Sequence, residues 1–169
     1  NGPIVRDVGL LASQSATRYG SQTFFLAEGG FYRMDSAGLE PIGTNKIDRT
    51  FFADLDSQYA YRCSAMIHPI EKLYIVAYPG SGNSGGRPNK VMVYNFAVKR
   101  WTVVNVDVDM LWRYISTGYT LEGLDPFGTV DTLPASMDSS LWAGRQISLA
   151  AFNTTHQTAV FNGTAKDAN

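Results

Sequence analysis

Three aspartates that follow one another closely could supply oxygen ligands for a cation. They are Asp48, Asp54 and Asp56. A calcium-binding EF-hand loop needs oxygen donors at alternating positions, a Gly at the sixth position and a Glu at the twelfth. Counted from Asp48, the sixth position holds Ala53 and the twelfth holds Tyr59, so the motif fails. We therefore expect these aspartates to cap a helix or to face solvent in a turn.

A second group of carboxylates alternates with valines. Asp107 and Asp109 belong to the segment Val106-Asp107-Val108-Asp109, and this period of two predicts a strand with both carboxylates on one face. Paired carboxylates hydrolyse glycosidic bonds when a cleft holds them about 5–10 Å apart. The same residues suit an exposed strand edge, because charges there discourage pairing with another chain. We favour the exposed edge and keep the glycosidase interpretation open.

The other reactive residue types form no catalytic motif. The two histidines, His68 and His156, lie in turn-like positions without the paired spacing of a zinc site. The glycine-rich loop at 80–86 lacks the Gly-Lys-Ser/Thr ending of a phosphate-binding loop, so we expect a flexible hairpin loop. No Gly-x-Ser-x-Gly sequence positions a serine nucleophile. The single cysteine, Cys63, excludes an intrachain disulfide and is expected to be a buried, unreactive thiol.

Aromatic side chains are the remaining candidates for binding. The chain contains three Trp, nine Tyr and nine Phe. Trp101, Trp112 and Trp142, together with the tyrosines, could form a platform on which sugar rings stack. We favour a role in the core between sheets, because burying one aromatic side chain removes about 150–250 Å² from water.

The composition describes a globular protein. The 169 residues are 44% hydrophobic and 17% charged, which suits one or two domains with a real core. The net charge of -1 and the scattered Lys and Arg argue against a nucleic-acid binder that neutralises phosphates. No apolar run reaches the length of about 20 residues that a membrane helix needs. The chain begins with Asn-Gly-Pro rather than Met and opens with no signal peptide, so we expect a piece of a longer protein.

The element that must position these residues is an antiparallel meander at residues 64–104. Its strands are predicted at Ser64–Ile67, Leu73–Tyr78, Val91–Tyr94 and Trp101–Val104. Short strands joined in series by hairpins are the unit that a β-propeller repeats around its axis.

Shorter meanders are predicted on either side, at 21–43 and at 147–163. The strand pair at 24–33 resembles the pair at 149–161, and both resemble residues 66–75. Repeats spaced by roughly 40–50 residues are typical of propellers and arrays. Residues 105–146 show no clear periodicity and are predicted to form a long irregular excursion.

A helical pattern interrupts the strands at residues 45–61. Ile47, Phe51, Phe52 and Leu55 fit one face of a helix, so this segment is predicted to be a short helix or a turn-rich linker.

Two segments resemble subunits of phage tails. Residues 91–95, Val-Met-Val-Tyr-Asn, followed by Arg100-Trp101-Thr102, are similar to a strand, turn and Arg-Trp cadence of propeller-like tail proteins, which kelch-like propellers also use. The stretch from Asp131 to Phe152 resembles a recurrent segment of the nozzle or hub at the tail tip of short-tailed phages and their prophage relatives. The resemblance covers most of residues 24–163. It implies a structural role in a virion, with no catalytic residues to carry over.

These observations together predict a single all-β domain over residues 1–169, a β-propeller or a propeller fragment with a long irregular insertion. At most three sheets can be counted where a ring needs at least about four. The protein is therefore a fragment of a larger propeller or an open sandwich, and either arrangement leaves apolar sheet faces uncovered.

The predicted function is that of a structural tail component without catalysis, cofactor or metal. The expected partners are other tail subunits and further copies of the chain, in a virion made in the bacterial cytoplasm. Aromatic and Arg side chains typically anchor interfaces. The interface residues that we expect are Trp112, Arg113, Tyr114 and Trp142. One alternative is a carbohydrate-binding or glycan-processing propeller, and another is a kelch-like interaction domain.

Overall fold

The computed structural model describes residues 8–115, 147–152 and 157–161, together with positions 125, 126, 128, 129, 132 and 155. Within these residues the chain is mostly β, and its strands form three antiparallel sheets. The all-β prediction is confirmed.

Sheet 1 is a four-stranded meander. It contains, in spatial order, β1 (Thr17–Tyr19), β2 (Gln22–Ala27), β3 (Gly30–Asp35) and β4 (Gly38–Pro41). The predicted boundary at residue 21 omits β1, which pairs Thr17 with Phe24. A strand of three residues is too short to show a period of two, so the sequence pattern carries no signal for it.

Sheet 2 is the meander predicted at 64–104, and this prediction is confirmed. Its strands, in spatial order, are β5 (Ser64–His68), β6 (Leu73–Tyr78), β7 (Lys90–Asn95) and β8 (Arg100–Asn105). In β6, every residue from Tyr74 to Tyr78 is buried. A strand that is buried along both of its faces lies between two packed layers, and sheet 2 is accordingly the middle sheet.

Sheet 3 contains a strand that the sequence did not predict. Its strands are β9 (Met110–Ile115), β10 (Ile147–Phe152) and β11 (Thr158–Phe161), with β10 in the middle. The expectation of an irregular excursion is therefore wrong for residues 110–115. β9 pairs with β10 in the register Leu111 to Ala151. Because the partner strand is remote in sequence, no hairpin turn marks β9.

The predicted helical segment at 45–61 contains α1 (Asp48–Asp54) and a 3-10 helix at Ser57–Arg62. Phe51 is fully buried and lies 4.8 Å, ring centre to ring centre, from both Phe31 and Tyr78. Phe52 remains 36% exposed. The short helix is confirmed, although only one of the two adjacent phenylalanines belongs to the core.

The predicted sequence repeat aligns one hairpin incorrectly. β2–β3 and β10–β11 are the second and third strands of their sheets, counted along the chain. Residues 66–75 instead belong to β5 and β6, which are the first and second strands of sheet 2. The equivalent hairpin is β6–β7. Its long loop at 79–89 breaks the spacing that the other two hairpins share.

The core of the described chain lies in two layers, one on each face of sheet 2. Tyr74, Val76 and Tyr78 of β6 face sheet 1, where they join a cluster with Phe24, Leu26 and Phe31. Ile75 and Ala77 of β6 face sheet 3. There they pack with Met66, Val91, Val108, Leu111 and Ala151. Alternation along one strand thus supplies both layers.

Candidate interaction surfaces

The predicted interface residues of β9 lie on two different faces of sheet 3. The Trp112 ring stacks on Phe152, with ring centres 5.8 Å apart and planes 15° apart. Tyr114 lies edge-on to Trp112 at 6.0 Å. Arg113 lies between Trp112 and Tyr114 along β9, so it belongs to the opposite face of the strand. It is paired with Leu149, which packs in the layer between sheets 2 and 3. Trp142 lies outside the described residues. The structure therefore brings Trp112 and Tyr114 together and separates Arg113 from them.

We call the side of sheet 3 that points away from sheet 2 the sheet 3 outer face. Its larger side chains are Met110, Trp112, Tyr114, Phe152 and Val160, by their pairing in the strand register. Met110 is 39% exposed and Val160 is 38% exposed. The Trp112 indole N–H is buried and makes no hydrogen bond within the described part of the chain. None of these side chains joins either core cluster of the described residues.

We call the side of sheet 1 that points away from sheet 2 the sheet 1 outer face. Phe25 and Tyr32 stack across β2 and β3 with ring centres 5.9 Å apart. Met34 and Leu39 are paired across β3 and β4 on the same face. All four are half-buried and stand outside both core clusters among the described residues. A shallow hollow of about 220 Å³ opens beside Met34.

Sequence analysis alone did not single out the sheet 1 outer face, although a signal was present. In β2, residues 23–27 read Thr-Phe-Phe-Leu-Ala, so residues on both sides of the strand are largely apolar. A strand with one solvated face alternates between apolar and polar residues, whereas a strand covered on both faces reads as a continuous apolar run. The run therefore indicates a sheet with two faces suited to packing.

An open cleft of about 550 Å³ lies where the three sheets meet. It is lined by the first strands of the three sheets, including residues of β1, β5 and β9. Arg18 and Arg113 contribute its charges, and the described lining holds no carboxylate. Tyr19 and Met66 contribute further polar and apolar surface. The described lining residues of the cleft therefore offer hydrogen-bond donors and include no pair of carboxylates.

The three clustered aspartates bind protein groups. Asp48 accepts a hydrogen bond from the Phe31 backbone N–H at 3.2 Å, and burial raises its pKa. Asp56 caps the 3-10 helix by accepting from the Gln58 backbone N–H at 3.2 Å, which confirms the capping prediction for this residue. Within the described residues, no group of three or more His, Cys, Asp or Glu is arranged to hold a metal ion.

Asp54 is the centre of a polar network at the end of α1. Its carboxylate accepts from the Lys90 ammonium at 2.6 Å, from the Ser81 hydroxyl at 2.6 Å and from the Tyr78 hydroxyl at 3.0 Å. Burial acts to raise the pKa of Asp54, but these hydrogen bonds outweigh burial and lower the pKa to about 2. The pKa of Tyr78 is raised, first by burial and then by its bond to the carboxylate. This network fastens β7 and the preceding loop to α1.

The glycine-rich loop is fixed by side-chain hydrogen bonds, in contrast to the flexible loop that we expected. Asn83 donates to the Asp56 carboxylate at 3.0 Å and accepts from the Gly86 backbone N–H at 2.7 Å. The Gly80 backbone N–H donates to the Asn89 side chain at 2.8 Å. Asn and Asp side chains can replace backbone partners in turns, and composition alone does not reveal which of them are in reach.

The predicted strand carrying Asp107 and Asp109 does not form. β8 ends at Asn105 and β9 begins at Met110, so the residues between them share no strand face. Asp109 forms an ion pair with Arg87 at 2.8 Å, and Asp107 is exposed. Val106 and Val108 are instead held by backbone hydrogen bonds to the loop before β7, which pulls the chain out of a regular strand.

The remaining candidates have structural roles in the described chain. Trp101 stacks on Tyr94 at 4.6 Å and contacts Phe31 at 4.8 Å, so its predicted role between sheets is confirmed. The His68 ring nitrogen accepts from the Glu71 backbone N–H at 3.2 Å, and His156 lies outside the described residues. Cys63 is fully buried as predicted, and burial raises its pKa to about 12.

The sequence matches no model of a known protein family and no curated protein. Among the helices in the described part of the chain, none has the length and apolar character needed to cross a membrane.

Proposed function

We propose that the chain is a structural subunit of a phage or prophage tail, built from propeller-type blades and without catalytic activity. The observation that supports this proposal is the arrangement of the three sheets, whose first strands β1, β5 and β9 lie along one shared edge. The resemblance of residues 131–152 to tail-tip proteins of short-tailed phages supports the assignment to a virion.

The sheets are arranged like the blades of a fan. β1 and β9 both contact β5, so the first strands of the three sheets lie side by side in chain order. Among the described residues, the last strands β4, β8 and β11 make no comparable contacts with one another. Radial spreading from a shared inner edge is the geometry of propeller blades.

Hydrogen bonds and aromatic contacts join sheets 1 and 2 along their shared layer. Near the inner edge, the buried Ser15 hydroxyl donates a hydrogen bond to the Ala12 carbonyl oxygen. The Ser15 carbonyl oxygen accepts a hydrogen bond from the Tyr74 hydroxyl. Farther out, Trp101 of β8 fills the gap, where it contacts Phe31 and donates its indole N–H to the Ile42 carbonyl at 3.1 Å. At this position a large aromatic side chain joins sheet 2 to sheet 1.

The proposal is tested on virus particles. A prophage or phage that encodes this chain is induced, particles are purified, and the chain is sought by mass spectrometry and by antibody labelling in electron micrographs. We expect the chain in purified particles at a fixed copy number and label at the tail. Recovery of the chain only in the particle-free lysate would overturn the virion assignment.

The expected contact residues are tested in the same particles. Trp112→Ala combined with Trp142→Ala is expected to reduce incorporation into particles at least tenfold, because aromatic anchors carry much of the energy of an interface. Val98→Ala, at an exposed turn position, serves as the control and should be incorporated normally. Normal incorporation of the double variant would exclude this surface as the contact.

The cleft between the inner strands favours one second candidate, a carbohydrate-binding propeller. Arg18, Arg113 and Tyr19 offer donors to sugar hydroxyl or carboxylate groups in a space of about 550 Å³. A glycan array with the wild-type chain and Arg113→Ala separates the candidates. Binding to one glycan class that is lost in Arg113→Ala would favour the carbohydrate function.

A further inference from the structure

We propose that β8 pairs, antiparallel and edge to edge, with β8 of a second copy of the chain, so that sheet 2 continues into sheet 2 of the partner. This inference stands independently of the virion assignment, since it concerns one edge of sheet 2. Its basis is the exposure of β8, the direction of its backbone groups and the charges beyond its two ends.

β8 is the last strand of sheet 2, and it lacks the features that protect an edge strand. Among the described residues it is paired along its length with β7 alone. Its residues from Thr102 to Asn105 are all exposed, with Val103 at 41% and Val104 at 46%. The last strand of sheet 1, β4, has four residues and ends at Pro41, which has no N–H to offer a partner. β8 has six residues, contains no proline and carries a Thr-Val-Val sequence that favours strand pairing.

The backbone groups of every second residue of β8 point away from β7. Val106, directly after β8, donates its N–H to the Asn89 carbonyl oxygen at 3.1 Å, which continues the register between β7 and β8. In an antiparallel pair, residues that hydrogen-bond to the neighbouring strand alternate with residues that do not. The N–H and carbonyl groups of Trp101, Val103 and Asn105 therefore face outward, toward a further strand.

One antiparallel register pairs all three outward residues with the same three residues of a second copy. In this register Val103 lies opposite the partner's Val103, and Trp101 lies opposite the partner's Asn105. Thr102 lies opposite the partner's Val104, and such β-branched pairs stabilise a sheet. The two strands are then related by a two-fold axis, as in most homodimers.

The charges beyond the two ends of β8 match this register. Lys99 and Arg100 are exposed at its start, and Asp107 is exposed shortly after its end. Among the described residues, none of these three forms an ion pair. Antiparallel pairing places Lys99 and Arg100 of each copy beside the partner's Asp107, whereas parallel pairing would bring like charges together. Opposite charges across a strand pair favour pairing and like charges oppose it. The edge is therefore complementary to itself.

A contact along one strand is small, and small interfaces are weak and transient. We therefore expect a dimer that forms at high protein concentration and dissociates at the low concentrations of optical denaturation experiments.

Sedimentation equilibrium of the 169-residue chain over a wide range of concentration is the first test. The wild type is expected to pass from monomer to dimer. Asp107→Lys and the double variant Lys99→Glu/Arg100→Glu should each raise the dissociation constant at least tenfold, because like charges then meet at both ends of the contact. The matched control is Lys46→Glu/Arg49→Glu, which makes the same change of charge at exposed positions away from β8 and should leave the dissociation constant unchanged. Circular dichroism spectra confirm that these variants are folded.

Mixing the two charge variants tests the antiparallel arrangement. In a mixed dimer of Asp107→Lys with Lys99→Glu/Arg100→Glu, opposite charges meet again at both ends. The equimolar mixture should therefore dimerise at least tenfold more tightly than either variant alone. A wild type that stays monomeric at the highest concentration, a dimer that survives both charge variants, or a mixture no tighter than its components would overturn the proposal.

A proline substitution tests the pairing of the backbone itself. Val103→Pro removes an outward N–H and leaves the N–H groups that bond to β7 in place, so the variant should be folded and monomeric. A folded Val103→Pro variant that dimerises like the wild type would also overturn the proposal.

Discussion

At the scale of single residues, the Asp54 carboxylate shows how one charge can organise a loop. It joins α1 to Ser81 in the loop and to Lys90 at the start of β7, and its side chain and that of Lys90 are each 20% exposed. Partly buried carboxylates are stable in their charged form when hydrogen bonds replace the lost water. The low pKa of Asp54 expresses this balance, and it links the stability of the protein to pH.

Replacing Asp54 with Asn should lower the free energy of unfolding at neutral pH by on the order of 1–2 kcal/mol, because Lys90 loses its partner. The control is Asp107→Asn at an exposed position, which should change stability by less than about 0.5 kcal/mol. Urea denaturation followed by circular dichroism provides the measurement.

The difference in free energy of unfolding between the wild type and Asp54→Asn should depend on pH in a direction that the pKa of Asp54 determines. The folded pKa of Asp54 is about 2, below the ordinary value of 3.8 that applies to the unfolded chain. The unfolded chain therefore binds more protons between these values, and stability falls as the pH falls through them. The advantage of the wild type over Asp54→Asn should be complete above about pH 4 and should shrink toward pH 2. A constant difference over this range would contradict the assigned network.

Gly86 and Gly82 provide a matched pair of substitutions in the same loop. Both have positive φ, of 76° and 80°, so Ala is strained at either position. A side chain at Gly86 would in addition overlap the Tyr59 ring, whereas nothing lies within 4 Å of one at Gly82. Gly82→Ala should cost about 1 kcal/mol, and Gly86→Ala should cost a further 1–3 kcal/mol or more, measured by thermal unfolding.

At the scale of elements, short segments set the limit on what the sequence could predict. β5 to β8 and α1 were predictable, because their apolar residues recur with clear periods and lie between turn residues. β1 has three residues and β9 pairs with a strand far along the chain, so neither has a local signal. Because β9 was not predicted, the predicted interface residues were also grouped incorrectly. Without β9, Arg113 could not be separated from Trp112 and Tyr114.

The helix α1 offers a test of which of two adjacent side chains belongs to the core. Phe51→Ala should lower the free energy of unfolding by about 3–5 kcal/mol, since Phe51 is fully buried against Phe31 and Tyr78. Phe52→Ala, at a position 36% exposed, should cost less than about 1.5 kcal/mol. Equal costs in equilibrium denaturation would mean that α1 is rotated from the position described.

At the scale of the whole molecule, sheet 2 is shared by both core layers. Sheets 1 and 3 cannot lose their inner faces without exposing one side of β6, which is buried from Tyr74 to Tyr78. Layers that share a buried strand lose much of their stability together. We therefore expect sheets 1, 2 and 3 to unfold as one unit.

Tryptophan fluorescence can test this cooperativity. Trp101 reports on the contact between sheets 1 and 2, and Trp112 reports on sheet 3. Each signal is read in a variant in which the other two tryptophans are replaced by Phe. After correction for the stability of each variant, the two denaturation curves should have the same midpoint. Separate midpoints would mean that sheet 3 unfolds independently.

The buried Cys63 gives the protein an internal reporter of its own opening. The thiol is fully buried in the layer between sheets 1 and 2, and a pKa of about 12 leaves almost no reactive thiolate at neutral pH. An alkylating reagent can modify Cys63 only in molecules whose two sheets have separated. Because the chain contains one cysteine, each molecule gains the mass of at most one label, and mass spectrometry gives the fraction of molecules that have been labelled. The rate at which the native protein is labelled thus reports on the separation of sheet 1 from sheet 2.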